Sequence, residues 1–432
     1  MSEVTVGLIG IVAVLLLFVT GIEIGFAMAI IGFLGFAYLV SFKAALILIG
    51  RDFYDVVSSY GYTVFPLFIL MGQVAFNSGI ATRLYNSAHR FVGHIPGGLA
   101  MATVVAATGF KAICGSSTAT AATFASVAIP EMDKYGYDKR LSTGVVATVG
   151  TRGVIMPPSV TLILYGVITE QPIGKLFLAG LMPGLLLAAL YVGIIFVWAK
   201  INPSIAIRAE RSTWRARLTT LPETLWVVAI FLLVVGGIMK GFFTPTEAGS
   251  VGTFLVLVLA AARKGMNWKT YVQSLYESLK AACMIFMLLA GSFILGHFIA
   301  ITNIPQAMAD WTGTLDLNRY IIFFIIFIIF QLGGSFIEDM AFMVLAVPIF
   351  YPTLMKLGFD PLWLGIMVGL TVMIGVVLPP MAIVVFVVKN ITKVPMGTIY
   401  KGVYPFLTAM VLAGILLVIF PQIALWLPSM FK

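Results

Sequence analysis

The sequence predicts an all-α polytopic membrane protein made of two inverted repeats, with about ten transmembrane spans and two re-entrant hairpins. Three observations carry that prediction. Of 432 residues, 61% are hydrophobic and only 10% charged, against about 25% charged in soluble domains. Apolar runs near the length that crosses a bilayer recur along the whole chain. A series of short motifs also recurs, in order, half a chain apart.

Composition excludes a soluble enzyme first. Cys114 and Cys283 are the two cysteines, both in apolar context, so no disulfide framework is expected. The net charge of +9 fits basic cytoplasmic loops better than nucleic-acid binding. Glu3 and the lack of a basic stretch before the first apolar run argue against a cleaved signal peptide. There is no Walker A loop, HExxH or GxSxG, so nothing points to ATP-driven or hydrolytic chemistry.

In chain order, spans are expected at 5–20 and 22–40. An arm at 44–60 carries Arg51, Asp52 and Asp55 and is too polar to cross, so it reads as interfacial. A third span covers 62–90, followed by two short segments at 97–113 and 117–130. Spans at 142–168, 174–199, 224–241, 246–263 and 281–301 come next. Two more short segments, 318–332 and 336–350, precede spans at 361–388 and 399–428.

The repeat divides the chain into 1–215 and 216–432. Gly115, Ser117 and Pro130 match Gly333, Ser335 and Pro348 at an offset of 218. GVIMPP at 153–158 matches GVVLPP at 375–380 at 222, and Gly180 and Pro183 match Gly402 and Pro405 at 222. Each half then holds a hairpin (97–130, 315–350) and a broken span (142–168, 361–388). Five crossings per half would invert the second copy. With the N-terminus periplasmic, 17 Lys and Arg fall on the cytoplasmic side and 7 on the outer side, as the positive-inside rule requires.

Gly115, Ser116 and Ser117, and likewise Gly333, Gly334 and Ser335, are read as interrupting helices at membrane depth. Pro157-Pro158 and Pro379-Pro380 break the following spans by removing amide donors. Backbone freed at that depth must line a protein cavity, and paired broken helices in matched positions are the secondary-transporter pattern. Ser116, Ser117 and Thr118 go to the site; Thr120, Thr123 and Ser126 go to helix packing.

Lys111 and Arg152 are ionisable groups in apolar stretches, which makes them functional candidates. Three readings stay open. In one, both grip a substrate acid; in another, Lys111 is a tethered charge in a cation site; in the third, both snorkel or pair structurally with Glu338 or Asp339. Glu247 reads as a helix-start acid. Two other function classes are weaker. A passive anion channel would need rings of filter residues. An intramembrane enzyme built on a Ser117–Lys111 dyad would leave the second tip without purpose.

PLFILMGQVAFNSGIATRL, GSSTATAATFASVAIPEM, GVIMPPS with YGVITEQPIGKLFLAGLMPG, FTPTEAGSVG, and DMAFMVLAVPIFYP with GFDP resemble the large membrane subunit of tripartite ATP-independent periplasmic (TRAP) transporters, in the ion transporter superfamily. The resemblance implies an elevator-type transporter of a bacterial inner membrane and no enzyme. It implies Na⁺-driven uptake of an organic acid, a carboxylate or sulfonate, with Na⁺ as coupling ion and no other cofactor. It implies a small membrane subunit and a periplasmic substrate-binding protein as partners. By the same resemblance, substrate binding falls on Ser116, Ser117, Thr118 and Ser159, to which the embedded charges Lys111 and Arg152 are added on their own account. Ion binding falls on Ser117, Gly153, Met156, Pro157, Gly334, Ser335, Asp339, Gly375, Val376 and Pro379. The chain departs from the family at Lys111, where a small residue is usual, and at Arg152, usually apolar. It also departs at the second break, where Leu370 and Thr371 stand in the region of a usual Asn and Leu378 and Ala382 replace members of TPPxG.

Overall fold

A computed structural model describes residues 2–431 apart from 208, 264, 316 and 381. Arg208, Lys264 and Lys432 of the charge tally therefore lie outside the described residues. The described residues form helices and no strand. In order these are α1 (Glu3–Val19), α2 (Ile24–Leu39), α3 (Phe42–Ser58), α4 (Val64–Asn77), α5 (Ile80–Val92), α6 (Gly98–Lys111), α7 (Ser117–Lys134), α8 (Lys139–Thr151), α9 (Val160–Ile168) and α10 (Ile173–Ile201). The second half follows with α11 (Trp214–Met239), α12 (Pro245–Ala262), α13 (Trp268–Ile301), α14 (Ile304–Thr314), α15 (Arg319–Phe336), α16 (Asp339–Lys356), α17 (Pro361–Gly375), α18 (Ile383–Thr392), α19 (Met396–Ile419) and α20 (Gln422–Met430).

Among the described residues, seven helices are long and apolar enough to cross a membrane, or eight if α3 and its bent continuation through Asn77 (54°) count as one. The sequence led to about ten. Two expected spans, α1 and α2, have only 17 and 16 residues, three more are divided, and α15 and α16, expected as hairpin arms, are among the seven. The segment at 62–90 is two helices, because Gly79 adopts a left-handed backbone (φ 74°) between α4 and α5. The broken spans likewise end as α8 with α9 and α17 with α18, each piece too short to cross alone. The polar arm is held at its middle: buried Asp52 faces His297 Nε2 at 3.5 Å, while Arg51 and Asp55 pair at the exposed side.

Two groups of helices pack against each other. In one, α2, α3 and α4 lie along the 34-residue α13, with α12 on α4 and α11 on α12. In the other, α7 packs on α8, α8 on α19, α15 on α17, and α10 on α19 and α20. Tails are exchanged within this second group. The outgoing piece α9 packs on α16 and α17, while α18 packs on α7 and α8.

Helix starts in the two halves keep a nearly constant spacing of 221 to 223 residues: Gly98 and Arg319, Ser117 and Asp339, Lys139 and Pro361, Val160 and Ile383, Ile173 and Met396. This corrects the offset of 218 at the hairpin tips. The counterparts of Ser116, Ser117 and Pro130 are Glu338, Asp339 and Pro352, and Pro130 and Pro352 lie at the same depth of their helices.

Candidate functional site

The first tip is an interruption at Ala112–Ser116. α6 ends on Lys111, and the amides of Ile113 and Cys114 close back on the Phe110 carbonyl at 3.1 and 2.9 Å. Ser116 caps α7, its Oγ accepting from the Ala119 amide at 3.3 Å. Its carbonyl accepts from Lys111 Nζ at 2.7 Å and Thr120 Oγ1 at 2.9 Å. Ser117 is half-buried and Thr118 exposed, its hydroxyl 3.3 Å from that of Ser116. Thr123 and Ser126 donate to carbonyls of their own helix.

The first broken span closes over this tip. Gly115 lies against Pro158 O and Val160. Past α8 the chain makes a 3-10 turn, Arg152–Val154, then Ile155 to Pro158 with a cis Pro157-Pro158 bond. Ser159 donates to Val154 O at 2.7 Å and caps α9 by accepting from the Leu162 amide. All residues from Thr151 to Val160, including Gly153, Met156 and Pro157, are buried. Arg152, 2% exposed, donates to Thr108 Oγ1 at 2.8 Å and Gly184 O at 3.1 Å. It lies over the Tyr191 ring, 5.6 Å from its centre, yet its Nε and the Tyr191 hydroxyl have no partner. Lys111 is wholly buried and packs against Gly153, where a Cβ would collide with Nζ.

The second half differs in detail. Gly333, Gly334 and Ser335 do not interrupt a helix; they complete the last turn of α15. Ser335 Oγ donates to Gln331 O at 2.8 Å, and the Ile337 amide reaches Gly333 O at 3.0 Å. The Phe342 ring fills the place where Gly333 would carry a side chain, so that glycine serves close packing. The interruption comes later, at Ile337–Glu338. Glu338 caps α16 by accepting from the Ala341 amide at 3.2 Å, and Asp339, 7% exposed, accepts from the Met340 amide. Neither acid forms an ion pair with Lys111 or Arg152, so the structural pairing considered from sequence is not made. α17 ends at Gly375 and is capped by Val376. Pro379-Pro380 is also cis, but both prolines are exposed.

Several residues were not singled out from sequence. With its amide nitrogen toward Thr371 O (3.2 Å) and its oxygen toward the Gly375 amide (3.1 Å), Gln331 ties α15 to the second break. Its signal was a lone amide at the end of YIIFFIIFIIF. Thr108, Gly184 and Tyr191, which hold Arg152, carried no such signal, because their partner is set by packing across helices.

This fold is that of a helical membrane transporter. The Alcanivorax borkumensis YdaH transporter aligns with a TM-score of 0.59 over 88% of this chain and 89% of its own, at 14% identity. Residues 11–423 match the family model for the DctM component of tripartite ATP-independent periplasmic transporters, and the chain belongs to that family. It is similar to the C4-dicarboxylate TRAP transporter large permease protein DctM of Pseudomonas aeruginosa, 33% identical over 87% of this chain and 88% of the relative. The sialic acid TRAP transporter large permease protein SiaM of Vibrio cholerae is 31% identical over 95% and 96%. These relatives are permeases and not enzymes.

Proposed function

We propose that the chain is the large permease of a secondary-active importer that takes up an organic acid anion on a Na⁺ gradient by an elevator movement. One observation carries this reading: two helix–break–helix units 222 residues apart, each followed by a broken span, in a chain of this family. The two named relatives handle acids, a C4-dicarboxylate and sialic acid. The amide end of α7, with half-buried Ser117 and exposed Thr118, suits a carboxylate or sulfonate. Glu338, Asp339 and the carbonyl end of α17 at Gly375 and Val376 suit a hard cation. The halves are oriented oppositely, with the N-terminus periplasmic in an inner membrane, as the charge asymmetry supports. A cavity of about 440 Å³ between α13, α14 and α16, lined by Ser292, Asn303, Gln306 and Pro348, supports sliding of the second helix group past the first. The chain works with a small membrane subunit and a periplasmic binding protein that delivers the solute.

Uptake into proteoliposomes containing both membrane subunits, with the binding protein outside, tests this across carboxylates and sulfonates. Uptake of at least one acid that rises with an inward Na⁺ gradient is expected. Uptake of none, or uptake indifferent to Na⁺ and merely downhill, rejects it.

A further inference from the structure

Lys111 is a basic side chain for which the transport reading finds no use. Its ammonium is fully buried, and no carboxylate pairs with it among the described residues. An unpaired charge at membrane depth is costly, so the fold has a compensating arrangement around it. Lys111 is the last residue of α6, where the helix dipole is negative. Nζ is bound to the Ser116 carbonyl at 2.7 Å, an oxygen beyond the reach of α6 itself because the chain is interrupted there. Gly153 presses on its other side. Among the described residues, the main cavities are not lined by Lys111. What surrounds Nζ is thus a helix C-terminus and a freed carbonyl, both of which attract a cation.

We propose that the Lys111 ammonium is a tethered cation, filling a seat that the break between α6 and α7 would otherwise offer to a metal ion such as Na⁺. The second half is the reverse. The residue 222 positions after Lys111 is Gly333, which brings no charge, and the counterpart of Ser116 is the acid Glu338. That half supplies anionic oxygen without a cation, so it depends on a mobile ion, and the first half does not. Arg152 is no substitute, because its Nη atoms are committed to Thr108 and Gly184.

This inference rests on Na⁺ being the coupling ion, and the test separates the two. The purified full-length chain is melted in NaCl and in choline chloride at equal ionic strength, as wild type, Lys111→Ala and Lys111→Met. Lys111→Ala is expected to melt well below wild type in choline and to recover most of the difference as Na⁺ rises, since an ion bound only by the folded state stabilises it by mass action. Lys111→Met fills the seat without charge and should show no Na⁺ response beyond that of wild type. In proteoliposomes, the Na⁺ dependence of uptake by Lys111→Ala should steepen by one ion. A Na⁺ response of Lys111→Ala equal to wild type overturns the proposal, and so does a variant that stays unfolded at every Na⁺ concentration. Wild-type uptake that ignores Na⁺ sinks the coupling reading instead, whichever way the variants melt.

Discussion

The two breaks share a backbone plan and differ in nearly everything else. At the first, α6 ends on Lys111 and α8 just before Arg152, the caps are the hydroxyls of Ser116 and Ser159, and Pro157 and Pro158 are buried. At the second, the positions matching Lys111 and Arg152 are Gly333 and Ile374, the cap is the acid Glu338 beside Asp339, and Pro379 and Pro380 are exposed. Cations have been placed in one copy and acids in the other. A shared helical scheme thus fixes where polar backbone becomes available, while the side chains decide what each copy attracts.

The largest expected effect comes from Gly375 set against its counterpart Gly153. A Cβ on Gly375 would meet the backbone of Gly334, which cannot retreat, whereas one on Gly153 meets the flexible end of Lys111. Gly375→Ala should cost about 3 kcal/mol and Gly153→Ala about 1 kcal/mol, read as melting shifts of the purified chain. Equal losses would break the contrast. Arg152→Met sharpens it next. Because Arg152 has no ion pair and leaves Nε and the Tyr191 hydroxyl unpartnered, an apolar replacement should change stability by less than about 1 kcal/mol. Uptake should nonetheless fall at least about tenfold if the charge is functional. A large melting drop would show that Arg152 is structural. Asp339→Asn should raise the Na⁺ concentration for half-maximal uptake by about tenfold, close to 1.4 kcal/mol of ion binding. Ser117→Ala, its counterpart, should move that value less than about twofold by the same conversion. Reversed magnitudes would put the mobile ion in the first half.

The smallest effect lies outside the spans, at the start of α8. Asp138 caps that helix through the Arg140 amide at 2.7 Å, and the Arg140 side chain holds its carboxyl below the usual carboxylate range. The folded value is depressed, so the contribution is complete above about pH 4, the unfolded value. It is lost as pH falls through the lowered folded value. Asp138→Ala should cost about 1 kcal/mol at neutral pH as a lost cap and flatten the acid limb of the melting curve. No change on either count would mean that Arg140 and water carry the cap.

Much of the architecture was legible because bilayer insertion writes itself into composition. The double prolines announced both broken spans, and Glu247 announced the start of α12, where it forms both reciprocal bonds with Thr244. The second tip was misplaced by four residues, because GGS looks like a break. In fact Gly333 is small to admit Phe342 and Ser335 bonds back to its own helix. A glycine required by a neighbour's ring and a glycine required by a turn are the same letter. The site was legible only as a set of candidates. That Lys111 turns to Ser116, Arg152 to Thr108 and Gly184, and Gln331 to α17 depends on distances between helices that no local pattern encodes.

The crossed placement of α9 and α18 has a consequence for assembly. Each outgoing piece finishes the opposite copy's bundle, so neither half has all its neighbours until the last helices have been made. A ribosome releasing this chain therefore leaves the first copy waiting, open at the place α18 will occupy. Conversely, what unites the copies is mutual wrapping more than the peptide between α10 and α11. Two fragments severed there and co-expressed should find each other and rebuild the whole, while either one alone should be degraded.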